Sequence, residues 1–85
     1  MKRITKIGKW LVLRFYGDYT FPSFNKPTYE KNGEVRTVQQ YQIEDDGSIS
    51  ILYTVGKSKR GCWVELSPDD TKLVDVLYKC STIFL

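Results

Sequence analysis

Histidine is missing altogether from this 85-residue chain. Its absence removes the commonest general base, the usual nucleophile–base triads and most zinc sites. Cysteine is scarce. Cys62 and Cys80 are too few for a disulfide framework and match no zinc spacing, so both are expected as reduced, inward-facing thiols that pack like small hydrophobes. No apolar run approaches the roughly 18 residues that a membrane-spanning helix needs. The opening MKRITKIGKWLVLRFYGD is basic and then apolar. Arg14 interrupts its apolar run and no small-residue cleavage site follows, so it is not read as a signal peptide. These absences lead to the expectation of an intracellular, cytoplasmic protein without a membrane partner. There is no internal repeat, no low-complexity tract and no phosphate-binding loop. GKSKRG, residues 56–61, lacks the Gly-Lys-Ser/Thr ending of a P-loop and falls between strand patterns.

What is present is one domain's worth of chain, residues 1–85, with a modest core. The apolar fraction is 41% and the aromatic fraction 14%, enough for a folded body. Thirteen Lys and Arg against ten Asp and Glu give a net charge of +3. The distribution says more than the sum. Lys2, Arg3, Lys6, Lys9 and Arg14 all precede the first acid, Asp18, and Lys57, Lys59 and Arg60 form a second cluster. Acids gather at Glu44–Asp46 and before the last helical pattern. Glu44, Asp45 and Asp46 read as an acidic hairpin turn, because a hard cation needs more ligands than these three offer.

Along the chain, 9–16 (KWLVLRFY) reads as a strand, with Leu11, Leu13 and Phe15 on one side and Trp10, Val12, Arg14 and Tyr16 on the other. Gly17-Asp18 is a turn, and Tyr19–Phe21 a short return strand stopped by Pro22. Residues 22–33 read as a loop punctuated by two prolines and closed by Asn-Gly. Residues 34–43 form a long strand, ambiguous in its faces near Val38, where a bulge would resolve the conflict. Asp46-Gly47 then signals a hairpin. Residues 48–55 alternate, with Ile49, Ile51, Tyr53 and Val55 inward. After the basic turn, Cys62, Val64 and Leu66 point in, and Trp63 and Glu65 out. Ser67-Pro68-Asp69-Asp70 opens a helix to about Cys80, capped by Ser67 and facing the core with Leu73, Val76, Leu77 and Cys80. The terminal STIFL is expected to pack on the sheet or lengthen the helix. The order is strands first and one helix last, a mainly β, α+β fold. Its most economical form is an antiparallel barrel of four or five strands covered by the C-terminal helix.

The stretch ISILYTVGKSKRGCWVELSPDDTKLVDVLYK resembles the last strands and helix of the small crenarchaeal chromatin proteins, and LVLRFYGD resembles their first strand and turn. Chromodomains share the plan of curled strands and a C-terminal helix. The resemblance implies an SH3-like barrel that binds duplex DNA on the outer face of its sheet. The matching positions are Val38, Gln40, Ser50, Leu52 and Trp63, with Lys57, Lys59 and Arg60 at the edge. The chain departs from these families in its loop 22–33, its smaller charge and its incomplete aromatic cage, for which Tyr41, Tyr53 and Trp63 are the available rings.

No catalytic constellation emerges, so the expectation is a protein that is not an enzyme and needs no cofactor or metal. The leading expectation is nucleic-acid binding, duplex DNA with little sequence preference, through Lys57, Lys59, Arg60, Trp63, Leu52, Val38 and Gln40. The alternative is a small phage or mobile-element product that binds and inhibits a host protein through loop 22–33 and exposed aromatics. The chain would act as a monomer, or as a homodimer if an open sheet edge pairs two copies.

Overall fold

The computed structural model describes residues 6–81, with side chains from residue 8 onward. The order is α1 (Lys6–Tyr16), β1 (Tyr19–Thr20), β2 (Thr28–Lys31), β3 (Glu34–Ile43), β4 (Ile49–Val55), β5 (Cys62–Leu66) and α2 (Thr71–Cys80). The chain is mainly β, a small α+β fold with five antiparallel strands and two helices. The sheet is open. β3, β4 and β5 are neighbours in that order, β1 and β2 both pair with β3, and no pairing joins β5 back to β1 or β2 among the described residues.

The first element corrects the sequence reading: 9–16 is helical, not a strand. Trp10 and Leu13, three residues apart, are buried, while Leu11 and Phe15 are exposed. That is a helical spacing, hidden in the sequence because the run 10–13 is apolar at every position and satisfies either period. The stop signal is local. Gly17 takes a left-handed φ of 79° and its N–H donates to the Arg14 carbonyl at 3.3 Å, ending the helix, with Arg14 favourably placed at the negative end of the dipole. Trp10 is therefore core, and Arg14 and Tyr16 lie on the helix's exposed side.

Loop 22–33 is also corrected in part, since it contains β2. Asn32 (φ 54°) and Gly33 (φ 78°) make the tight turn of a β2–β3 hairpin, with Lys31 opposite Glu34. β3 runs over 34–43 as its pattern predicts, and the bulge is there. Val38 pairs with Tyr53 and Gln40 with Leu52, so Gln39 is the extra residue. Its insertion turns both Val38 and Tyr41 inward although they are three apart. The bulge also divides the edge: β1 pairs with Gln40 and Tyr41, and β2 with residues 34–37.

The helix cap is corrected too. α2 starts at Thr71, and Asp70 is its cap, with its carboxylate accepting from the Leu73 N–H at 3.5 Å. Ser67 instead accepts from the Asp69 N–H, at 3.2 Å, in a turn before the helix. The buried face is Leu73, Val74 and Leu77, with Val76 and Cys80 only partly covered. At the far end Asn25 Nδ2 donates to the Cys80 carbonyl at 2.9 Å, so a loop side chain closes α2.

One core joins Trp10 and Leu13 of α1, Phe21, the sheet residues Val38, Tyr41, Ile49, Ile51 and Leu66, and Leu73, Val74 and Leu77 of α2. Two helices, not one, cover the inner face of the sheet. They are pinned to each other by a Lys9–Asp75 ion pair, to which Lys79 adds a second contact at 3.0 Å. The other face is left without a helix among the described residues. Of STIFL, Ser81 is buried, and residues 82–85 lie outside the described part of the chain.

Candidate nucleic-acid interface

The outer face is built by strand register. Thr20 stands opposite Gln40, Gln40 opposite Leu52, and Leu52 opposite Trp63. Side chains directly opposite in adjacent strands share a face, so these four form one row across the sheet. The next row is Gln42, Ser50 and Glu65. The face is rich in uncharged hydrogen-bonding groups and carries one large ring. Trp63 is 49% exposed. Thr20 Oγ1 donates to Gln40 Oε1 at 3.2 Å, and Gln39 Nε2 donates to Thr54 Oγ1 at 2.9 Å, which fixes the amide ends of both glutamines.

The basic turn borders this face. The chain leaves β4 at Gly56, with φ 56°, and Ser58 N–H donates to the Val55 carbonyl at 3.1 Å. Ser58 Oγ then accepts from the Arg60 N–H at 3.2 Å. The turn returns to the sheet over Leu52. A methyl group at Gly61 would come within 2.5 Å of Leu52 Cδ1, so a larger residue there would have to push the Leu52 side chain aside. Leu52 is thereby half-buried under the turn. Lys57, Lys59 and Arg60 are all exposed. A groove of about 510 Å³ lies where turn and sheet meet, lined among others by Lys26, Gln39, Gln40, Leu52, Thr54 and Lys59.

Of the residues expected at an interface, the structure brings Gln40, Leu52, Trp63 and Lys59 to this face, with Lys57 and Arg60 on the same turn. Val38 is a correction. It is 0% exposed, on the opposite face, because the parity that ties it to Gln40 is broken by the bulge between them. Thr20, Lys26, Gln39 and Thr54 were missed. Thr20 and Lys26 come from segments whose pairing with β3 no local pattern reveals. Gln39 comes to the groove through the bulge. Lys26 Nζ is already engaged, donating to the Phe21 carbonyl at 3.0 Å.

The three rings considered for a cage are not gathered. Tyr41 is buried in the core, and Trp63 lies on the outer face. Tyr53 is covered by the chain's own cation, with Arg36 Cζ 4.2 Å from its ring centre. Hydrogen bonds to Tyr29 and then to Glu34 hold the Arg36 guanidinium above its ordinary range. The cysteines differ from expectation as well. Cys62 is exposed and Cys80 partly buried, and both are free thiols. Burial pushes the Cys80 thiol up. The inward parity of Cys62 is real, but it lies past the end of the helical cover. In the acidic turn, Asp46 Oδ1 accepts from the Ser48 N–H at 2.9 Å and its hydroxyl at 2.7 Å, which lowers the carboxyl pKa.

A second cleft, about 490 Å³ between β2 and α2, mixes Glu30, Asp70 and Asp75 with Lys31 and Lys72 and presents no single sign of charge. No helix among the described residues is long and apolar enough to cross a membrane. No protein-family model, curated protein or solved structure matches the chain.

Proposed function

We propose that the chain is a non-enzymatic nucleic-acid-binding protein that takes duplex DNA with little sequence preference. The observation that carries this reading is the junction of the Thr20–Gln40–Leu52–Trp63 row with the turn bearing Lys57, Lys59 and Arg60. The cations contact phosphates, which supply affinity and no sequence information. Trp63 and Leu52 rest against sugar or base surface, and the Gln40 and Gln42 amides offer both donors and acceptors to the backbone. A binding isotherm for duplex DNA, repeated across salt concentrations, tests the reading. Micromolar affinity that falls steeply with salt is expected, and no measurable binding near physiological salt sinks it.

A second reading, a module that binds and blocks another protein, draws on a different surface. Phe15 is 83% exposed on α1 and Phe24 87% exposed in the 22–27 loop. If DNA does not bind and replacing these two rings abolishes capture of a protein partner, this second reading takes precedence.

A further inference from the structure

The two sides of the sheet are finished differently. On one side, β1 is two residues long, and β2 carries Glu30 and Lys31 and packs against α2. The segment between them holds Pro22 and Pro27. These are the features by which natural sheets prevent edge-to-edge pairing. On the other side β5 pairs with β4 alone. Its sequence, Cys-Trp-Val-Glu-Leu, has no lysine and no proline, and its backbone makes no other ladder among the described residues.

The flanks of β5 are charged with opposite signs. Lys57, Lys59 and Arg60 precede it, and Asp69 and Asp70 follow Glu65 and Leu66. An antiparallel pairing of β5 with a second β5, centred on Val64, sets Trp63 opposite Glu65 of the second copy and Cys62 opposite its Leu66. It lays the basic flank of each copy along the acidic flank of the other, twice by symmetry. A parallel pairing would instead put like charges together. We propose that β5 is a homodimerisation edge, with a second copy of this chain as its occupant, joined antiparallel about Val64. A two-fold axis normal to the sheet keeps both outer faces on the same side, so the two Trp63 rings lie on one continuous surface. The proposal is independent of nucleic-acid binding, and its test contains no DNA.

Sedimentation velocity of the pure protein, from micromolar to sub-millimolar concentration, should show a monomer–dimer equilibrium that weakens as salt is raised. Lys59→Asp and Asp69→Lys, which this register sets opposite each other, should each weaken the dimer by about tenfold, since each reversal acts at two symmetric contacts. The two reversals in one chain should restore it. Circular dichroism checks that each variant is folded. Register is read separately, in a Cys62→Ser background. Trp63→Cys and Glu65→Cys proteins, mixed and mildly oxidised, should form a cross-linked heterodimer. A monomer at every concentration would overturn the proposal. So would a dimer that neither regains affinity in the double reversal nor yields the cross-link, because its interface would then lie elsewhere.

Discussion

Tyr41 is the largest fully buried side chain of the core and lies among its aromatic rings. Its ring lies within 6.2 Å of Tyr19 and 6.0 Å of Phe21, centre to centre, and it is fully buried. Its hydroxyl and that of Ser81 are both buried, and neither has a hydrogen-bond partner of good geometry among the described residues. Burial pushes the Tyr41 phenol up to about 12, with the nearby Ser81 hydroxyl opposing the shift. The neutral phenol is therefore the form that folding favours. Its stabilising contribution is complete below the ordinary tyrosine value of 10.0 and is lost as pH rises through about 12. Tyr41→Phe should melt within about 1 kcal/mol of the parent, or above it, because it removes a buried polar atom that finds no partner. It should also lose less stability than the parent between pH about 10 and 12. A variant that is strongly destabilised at neutral pH would mean that the hydroxyl has a partner after all.

At the scale of elements, two helices share the task assigned to one by the sequence pattern. Leu77 is wholly buried between α2 and the sheet. Leu77→Ala should cost about 2–5 kcal/mol, a large share of a small domain's stability. An unchanged melting temperature would show that α2 is not part of the cover. The α1–α2 contact is a separate matter. Asp75 is held below the ordinary carboxylate range by hydrogen bonding to Lys9 and then Lys79. The pair is about one-third exposed on the carboxylate side, so solvent screens it. Asp75→Asn should destabilise by about 0.5–1 kcal/mol at neutral pH. The carboxylate's contribution is present above its ordinary pKa of 3.8 and disappears as pH falls through the lowered folded value. Parent and variant should therefore converge in acid, and a gap that persists there would assign the loss to packing instead of charge.

The whole molecule separates its surfaces. One face of the sheet is spent on the core. The other is polar, carries Trp63, and meets the three cations of the turn. If those cations contact three phosphates, they should supply a slope of about −2.7 in log affinity against log salt, at about −0.9 per phosphate. Replacing Lys57, Lys59 and Arg60 with alanine should flatten the slope by that amount. Trp63→Ala should weaken binding at every salt concentration while leaving the slope nearly unchanged, since its contact is apolar or stacking. Equal slopes for the parent and the triple variant would take the turn out of the interface, whatever the affinity.

Much of this was legible in local chemistry. The bounds of β3, the hairpin at Asp46-Gly47 and the C-terminal helix follow from alternation, turn residues and a 3.6-residue period, each of which acts within a few neighbours. The bulge was legible as a conflict of faces near Val38, but not in its position or consequence. The period of 9–16 was not legible, because a run apolar at every position packs equally well as strand or helix until the rest of the core chooses. That Cys62 is exposed, and that Gln39 and Gln40 both reach the groove, depend on how the helices lie over the sheet and where Gln39 shifts the register. Those are decided by contacts between residues far apart in the chain. The same holds for the row Thr20–Gln40–Leu52–Trp63: its members are scattered over 44 positions of sequence, and only strand pairing across three ladders makes them neighbours.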